Sequence, residues 1–242
     1  MTDVLINLGK SPNVGAALIV SLGCEGTDHE RMLEELRATG KPVEIIRAQE
    51  LGGTSRAIQA GIDAAQRLAM AISGMQREET DISNLTMAIK CGGSDTTSGM
   101  ASNCVIGYVA DKLVDLGATV VFGETTEFLG GEHILARRAV GGENGPVGQK
   151  IYEIVNAMET RAKSIGEDMR GGQPTPGNLM GGLSSIEEKS LGAIVKSGHR
   201  PIQGVLDYTE SIGDKKGLWI KDAPGREPEI LTGMAATGAQ CM

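Results

Sequence analysis

The chain has 242 residues, 40% of them apolar, 22% charged and 2% aromatic, with a formal net charge of −8. That length suffices for one large domain or two small ones. The acidic balance argues against a nucleic-acid partner, which needs a basic surface, and no apolar run reaches the roughly 18 residues of a membrane span.

In chain order, "MTDVLINLGK" has neither the charged start nor the apolar stretch of a secretory leader. "AALIVSL" (16–22) is a short apolar run of the kind that forms a buried parallel strand. Met32, Leu33 and Leu36 then recur at helical spacing, and Gly40 and Pro42 stop that helix. "PVEIIRA" reads as a second strand, and a helix over 52–73 follows with Thr54 or Ser55 as its cap. "LTMAIK" is a third strand, "SNCVIGYVADKLVDLG" a helix, "ATVVFGE" a fourth strand and "GEHILARRAV" a helix. Strand, glycine turn and helix, repeated four times over 1–140, predict right-handed crossovers and a parallel sheet.

Residues 141–242 are less regular. A long amphipathic helix covers 148–169, and the next sixteen residues hold seven Gly or Pro, the mark of an irregular loop. A short helix follows, with Ser184 or Ser185 and Glu188 at capping-box spacing. "IQGVLDY" and "GLWIKDAPG" read as strands, and "EILTGMAATGAQCM" as a strand or a turn into a small helix. The expectation is one α/β domain over 1–242, a three-layer Rossmann-like fold whose mostly parallel sheet is flanked by helices.

Ligands of such sheets sit at the carboxyl ends of the strands. Those ends here are "GCEG", "QELGG", "KCGGSD" and "GETTE". The turn "KCGGSDTTSG" (Lys90–Gly99) contains no GxxxxGK[ST], GxGxxG or GxSxG, so it is neither a phosphate loop nor a nucleophile elbow. Its backbone N–H groups and the hydroxyls of Ser94, Thr96, Thr97 and Ser98 suit an oxyanion, and Asp95 or Ser98 equally suits a plain helix cap. Cys24 and Cys91 each follow a strand, and thiols so placed either hold a soft metal or are buried strand-end cysteines. No CxxC is present, and the four cysteines are read as thiols of a cytoplasmic protein. Glu124, Glu127, Glu132 and His133 suit metal ligation or acid–base work, or else favourable helix starts. Lys189 is placed to meet an anion or to face solvent. Asp207, at a strand end, is a further candidate. His29 and His199 read as surface residues.

Several blocks together resemble one family. They are "SLGCE" (Ser21–Glu25), "KCGGSD" with its following "SG" and Asn103, "ATVVFGETTEFLGGEHILARRA" (Ala118–Ala139), "PTPGNLMGGLSSIEEKSLGAIVKSG" (Pro174–Gly198), "VLDY" (Val205–Tyr208) and "APG…LTGMAATGAQ" (Ala223–Gln240). In order and spacing they are similar to the altronate and galactarate dehydratases, a family that includes the large subunit of sulfolactate sulfo-lyase. The resemblance implies a carbon–oxygen lyase that removes the proton α to a carboxylate and expels a β hydroxide, giving a 2-keto-3-deoxy acid; in the sulfolactate branch the leaving group is sulfite. It also implies an Fe2+ or Mn2+ ion, a small anionic sugar-acid substrate, a possible homo-oligomer, and further N- and C-terminal segments around a central domain to which this chain corresponds. An isolated central domain would otherwise bind anions or partner chains without turnover.

On that resemblance Cys24, Cys91 and Glu124 are the expected metal ligands. Asp95, Glu127, His133 and Lys189 are expected to do the catalytic work. Gly92, Gly93, Ser94, Ser98, Asn103 and Asn178 are expected to bind the substrate.

Overall fold

All six expected strands form, and every pairing among them is parallel. They do not form one sheet. The computed structural model, which describes residues 1–242, has a two-stranded sheet and a four-stranded sheet in two separate units. One unit comprises Met1–Thr80 with Thr209–Ser211 and Ala235–Gly238, and the other takes the remainder. Where one domain over 1–242 was expected, the chain therefore divides after the second βα repeat. Strand and helix periodicity reveals each element but not which strands pair. The break falls in the exposed polar run Gln76–Asp81.

The first unit runs α1 (Thr2–Lys10), β1 (Ala17–Ser21), α2 (His29–Arg37), β2 (Val43–Arg47) and α3 (Thr54–Ile72). β1 and β2 pair with Ala17 opposite Val43. Ile6 of α1 and Met32 and Leu36 of α2 bury against Ile19 and Val43. Asp28 caps α2 by accepting the Arg31 N–H at 3.0 Å. The helix α1 was not anticipated. Its apolar residues Val4, Leu5, Ile6 and Leu8 are too few to show a period by themselves, and burial of Val4 and Ile6 fixes it.

The second unit contains β3 (Thr86–Ile89), a π-helical turn (Ser98–Ser102) leading into α4 (Asn103–Asp115), β4 (Thr119–Phe122), α5 (Glu132–Arg137) and α6 (Pro146–Ser164). Then come α7 (Met169–Gly172), α8 (Pro176–Met180), α9 (Ile186–Ile194), β5 (Ile202–Leu206), β6 (Gly217–Lys221) and α10 (Glu227–Thr237). The strand order is β3-β4-β6-β5. The segment read as an irregular loop holds two one-turn helices, and α8 is closed by a Thr175–Asn178 capping box.

Alternation along the strands sends side chains to both faces of this sheet. Val120, Phe122, Leu218 and Ile220 pack with Ala110, Leu135, Ile151, Ile154 and Ile194. Val121 and Ala88 pack on the other face with Ile230 and Met234 of α10. Both faces are covered, giving a three-layer α/β arrangement. Its carboxyl edge carries Lys90 and Cys91 after β3, Glu124 and Thr125 after β4, Asp222 after β6 and Tyr208 after β5.

One contact sets how closely α4 can approach the turn Val195–Ser197. A Cβ added to Gly107 would lie 2.3 Å from the Val195 carbonyl oxygen, a backbone atom with little room to yield. Gly107→Ala should therefore lower stability by about 1–3 kcal/mol, read as a drop in the thermal midpoint. Gly74, which has nothing within 4 Å of an added Cβ, serves as the control, and Gly74→Ala should cost nothing.

Candidate functional site

β3 ends at Ile89, and Lys90 and Cys91 begin the glycine turn. Gly92 and Gly93 are exposed and spanned by the Cys91 thiol, whose Sγ donates to the Gly93 carbonyl at 3.3 Å and lies 3.5 Å from Ser94 Oγ. Asp95 Oδ1 accepts the Thr97 hydroxyl at 2.8 Å and the Ser98 N–H at 2.7 Å. These two bonds, the Thr97 hydroxyl first, hold its carboxyl below the ordinary carboxylate range. Asp95 is thus the cap that the sequence allowed. The π-helical turn that follows is a feature frequent at functional sites.

The turn docks on the Gly/Pro-rich segment. Thr96 donates its N–H to the Gly181 carbonyl at 3.0 Å, and Asn178 Nδ2 donates to the Ser94 carbonyl at 2.8 Å. A Cβ on Gly181 would stand 2.7 Å from Asp95 Cβ, so this approach needs glycine. Asn103 Nδ2 donates to the Gly192 carbonyl at 2.8 Å and ties the start of α4 to α9.

Behind the turn lies a buried charge cluster. Lys196, its side chain 1% exposed, donates to both Glu124 Oε2 and, at 3.1 Å, Glu127 Oε2. Glu124 Oε2 also accepts the Cys91 N–H at 2.9 Å, and Lys90 Nζ stands 3.7 Å from Glu124 Oε1. Lys90 reaches Glu227 as well, at 2.6 Å. Lys189 Nζ lies 3.7 Å from Glu127 Oε1, donates to Gln173 Oε1 at 2.6 Å, and donates to Asn178 Oδ1 at 3.3 Å. Glu124 is the one non-glycine residue with positive φ, at φ 72 and ψ 61. Such a backbone costs on the order of 1–3 kcal/mol and persists only where its surroundings hold it. Here Lys196 and the Cys91 N–H hold it.

Burial pushes the Glu124 carboxyl above its ordinary value; the Lys196 ammonium pulls it down, and the Glu127 charge adds to the rise. Burial alone would lower Lys196, but the carboxylates of Glu127 and Glu124 outweigh it and hold the ammonium above the usual 10.5.

A cavity of about 310 Å³ opens beside the turn. Ser94, Asp95, Ser98, Asn103 and Lys189, all singled out from sequence, line it together. Asn178 stands behind it through Lys189. Glu127 also acts on it only through Lys189. Gly92 and Gly93 belong to the same turn but do not line the cavity. His133, on α5, makes no hydrogen bond or ion pair, and its charge acts on Glu143. Cys24 is an exposed thiol in the first unit. Asp207 is exposed after β5. His29 lies 3.9 Å from Glu25, and His199 lies 3.1 Å from Asp111.

The expected ligand set Cys24, Cys91 and Glu124 does not fit a divalent cation. Both Glu124 oxygens face lysine ammonium groups, and nowhere do three His, Cys, Asp or Glu residues gather as a metal-binding group. Sequence reasoning missed Lys196, Lys90 and Gln173. Lys196 left one signal: it directly follows the apolar run Ala193–Val195 at the end of a helix.

Removing Lys196 strands two buried carboxylates. Lys196→Met should cost about 3–5 kcal/mol in denaturant unfolding, and Glu124→Gln in the same chain should restore part of it. Because the folded state holds Lys196 above 10.5, its contribution is complete below that pH and is lost as pH rises through the folded value. The wild-type stability should therefore fall in strongly alkaline buffer by an amount that Lys196→Met does not show.

Comparison with known proteins matches the chain to two family models. Residues 82–242 match the D-galactarate/altronate dehydratase C-terminal domain, and residues 1–73 match the D-galactarate dehydratase/altronate hydrolase second domain. These limits follow the two structural units, so where the resemblance implied a single central domain the chain matches two family domains, the second and the C-terminal. The (2R)-sulfolactate sulfo-lyase subunit beta of Chromohalobacter salexigens is 40% identical over 97% of this chain and 59% of its own length. The altronate dehydratase of Bacillus subtilis is 35% identical over 98% of this chain and 46% of its own length. The galactarate dehydratase (L-threo-forming) of Escherichia coli is 34% identical over 96% and 45%. The chain spans about half the length of the curated relatives it matches. With both units matched in order, it belongs to the galactarate/altronate dehydratase family.

Proposed function

We propose that the chain forms the substrate-binding part of a cytoplasmic carbon–oxygen lyase that dehydrates a sugar acid such as altronate or galactarate to a 2-keto-3-deoxy acid. The observation that carries this reading is the cavity that brings Asp95, Lys189, Ser94, Ser98 and Asn103 to one place. Its volume of about 310 Å³ suits a small polyhydroxy acid. No helix of the chain is long and apolar enough to cross a membrane.

The reaction needs a charge beside the substrate's carboxylate, a proton acceptor at Cα and a proton donor for the leaving hydroxide. Lys189 answers the first requirement. Its ammonium is oriented by Gln173, Asn178 and Glu127, and it faces the cavity ready to receive the negative charge of the aci-carboxylate. Asp95 answers the second, its carboxylate lining the cavity. Held below the ordinary carboxylate range, it is ionised at neutral pH, so its basicity is modest and the charge on Lys189 has to make the Cα proton more acidic. The Cα–H bond breaks, its electron pair forms the C=C bond, and the Cβ–O bond breaks with hydroxide leaving. The proton taken by Asp95 passes to the leaving hydroxide to give water and restores the carboxylate, and the enol tautomerises to the keto acid. Ser94 and Ser98 hydroxyls meet the substrate's own hydroxyls.

A second reading keeps the cavity and changes the leaving group to sulfite, favoured by the 40% identity to a sulfo-lyase subunit. Product analysis separates the two: a 2-keto-3-deoxy acid from altronate or galactarate supports the first, sulfite from sulfolactate the second, and neither product from any of these acids overturns both. In whichever assay is active, Asp95→Asn should lower kcat by about 10²–10⁴ with little change in KM. Lys189→Met should raise KM and lower kcat together, because its charge touches both ground state and transition state. Unchanged kinetics in both variants would remove the cavity from the mechanism.

A further inference from the structure

A second cavity, of about 330 Å³, lies at the same carboxyl edge of the four-stranded sheet. Thr125 and Thr126 reach it from β4, Asp222 from β6, Tyr208 from β5, and Met158 and Arg161 from α6. None of the residues assigned above to the lyase site lines it.

Most of its polar groups are already fixed. Thr125 Oγ1 donates to Asp222 Oδ1 at 2.6 Å and accepts the Ala223 N–H at 3.3 Å, and the Tyr208 hydroxyl donates to the Glu229 carbonyl at 2.5 Å. Arg161 is different. The other five arginines of this unit are engaged: Arg137 with Glu143, Arg138 with Ser197, Arg170 with Glu159, Arg200 with Asp115 and Arg226 with Glu229. The Arg161 guanidinium has no hydrogen bond or ion pair within the chain. A free planar donor fork beside a rigid Thr–Asp pair, in a chain of net charge −8, has the chemistry to hold a carboxylate and accept a hydroxyl from the same molecule. Ligands of parallel sheets sit beyond this edge.

We infer that this cavity is a hydroxycarboxylate site in which Arg161 pairs with the carboxylate and Asp222 accepts a neighbouring hydroxyl. The choice of a sugar acid as ligand rests on the lyase reading; the anion selectivity of the cavity does not. An oxyanion without a neighbouring hydroxyl, such as phosphate, would engage Arg161 but not Asp222 and is the competing occupant.

The test uses the chain labelled with 13C at its methionine methyls. Met158 lines this cavity and Met100 lines the other, so each reports its own site. Titration with galactarate should shift the Met158 signal, and Arg161→Leu should raise the midpoint of that shift by about tenfold or more. Lys189→Met should leave the Met158 titration unchanged, and galactitol, which has the hydroxyls without the carboxylates, should not reproduce it. No Met158 response to galactarate, a response insensitive to Arg161→Leu, an equal response to galactitol, or a response to inorganic phosphate alone would each overturn the inference. A failure of the lyase reading shows separately, as absent turnover and a silent Met100.

Discussion

The carboxyl edge of the second unit is arranged around the buried ammonium of Lys196. Lys196 sits between Glu124 and Glu127, and each partner fixes a different element. Glu124 follows β4 and receives the Cys91 N–H, so it sets where the glycine turn leaves β3. Glu127 faces Lys189, so it sets where α9 presents its cation to the cavity. Taking such charges out of water costs on the order of several kcal/mol per ion, which only close pairing offsets. Glu124 makes both contacts, to Lys196 and to the Cys91 N–H, from a left-handed backbone conformation that its surroundings must hold.

The chemistry exposed to the cavity follows from that buried frame. The turn contributes a capped carboxylate and hydroxyls, α9 contributes an oriented ammonium, and the Gly/Pro-rich segment closes over both through Asn178 and Gly181. A carboxylate and an ammonium lining one small cavity is the arrangement that α-proton abstraction beside a carboxylate demands. The carboxylates that sequence reading offered to a metal are instead neutralised by lysines.

Much of the local structure was legible. Short apolar runs gave the strands, helical spacing and stop signals gave the longer helices, and the glycine turn announced itself by composition. Two features were not. Which strands pair is decided by contacts that periodicity does not encode, so two sheets read as one. Lys196 looked like one more surface lysine because a buried cation is visible only once its carboxylates, some seventy positions upstream, are seen beside it (72 and 69 positions to Glu124 and Glu127). His133 shares one sequence block with Glu124 and Glu127 yet makes no hydrogen bond or ion pair, and Cys24, grouped with Cys91 because each follows a strand, belongs to the other unit. Asp95, Ser94, Ser98, Asn103 and Lys189 came from blocks nearly a hundred residues apart, and family resemblance rather than periodicity linked them before the fold did.

The central claim is that a sugar acid lies against Lys189 and Asp95. A crystal structure of the chain grown with galactarate tests it most directly. The account predicts a carboxylate of the ligand within hydrogen-bond distance of Lys189 Nζ and its α-carbon facing the Asp95 carboxylate. Ligand density elsewhere on the chain, with this cavity holding only water, would contradict it.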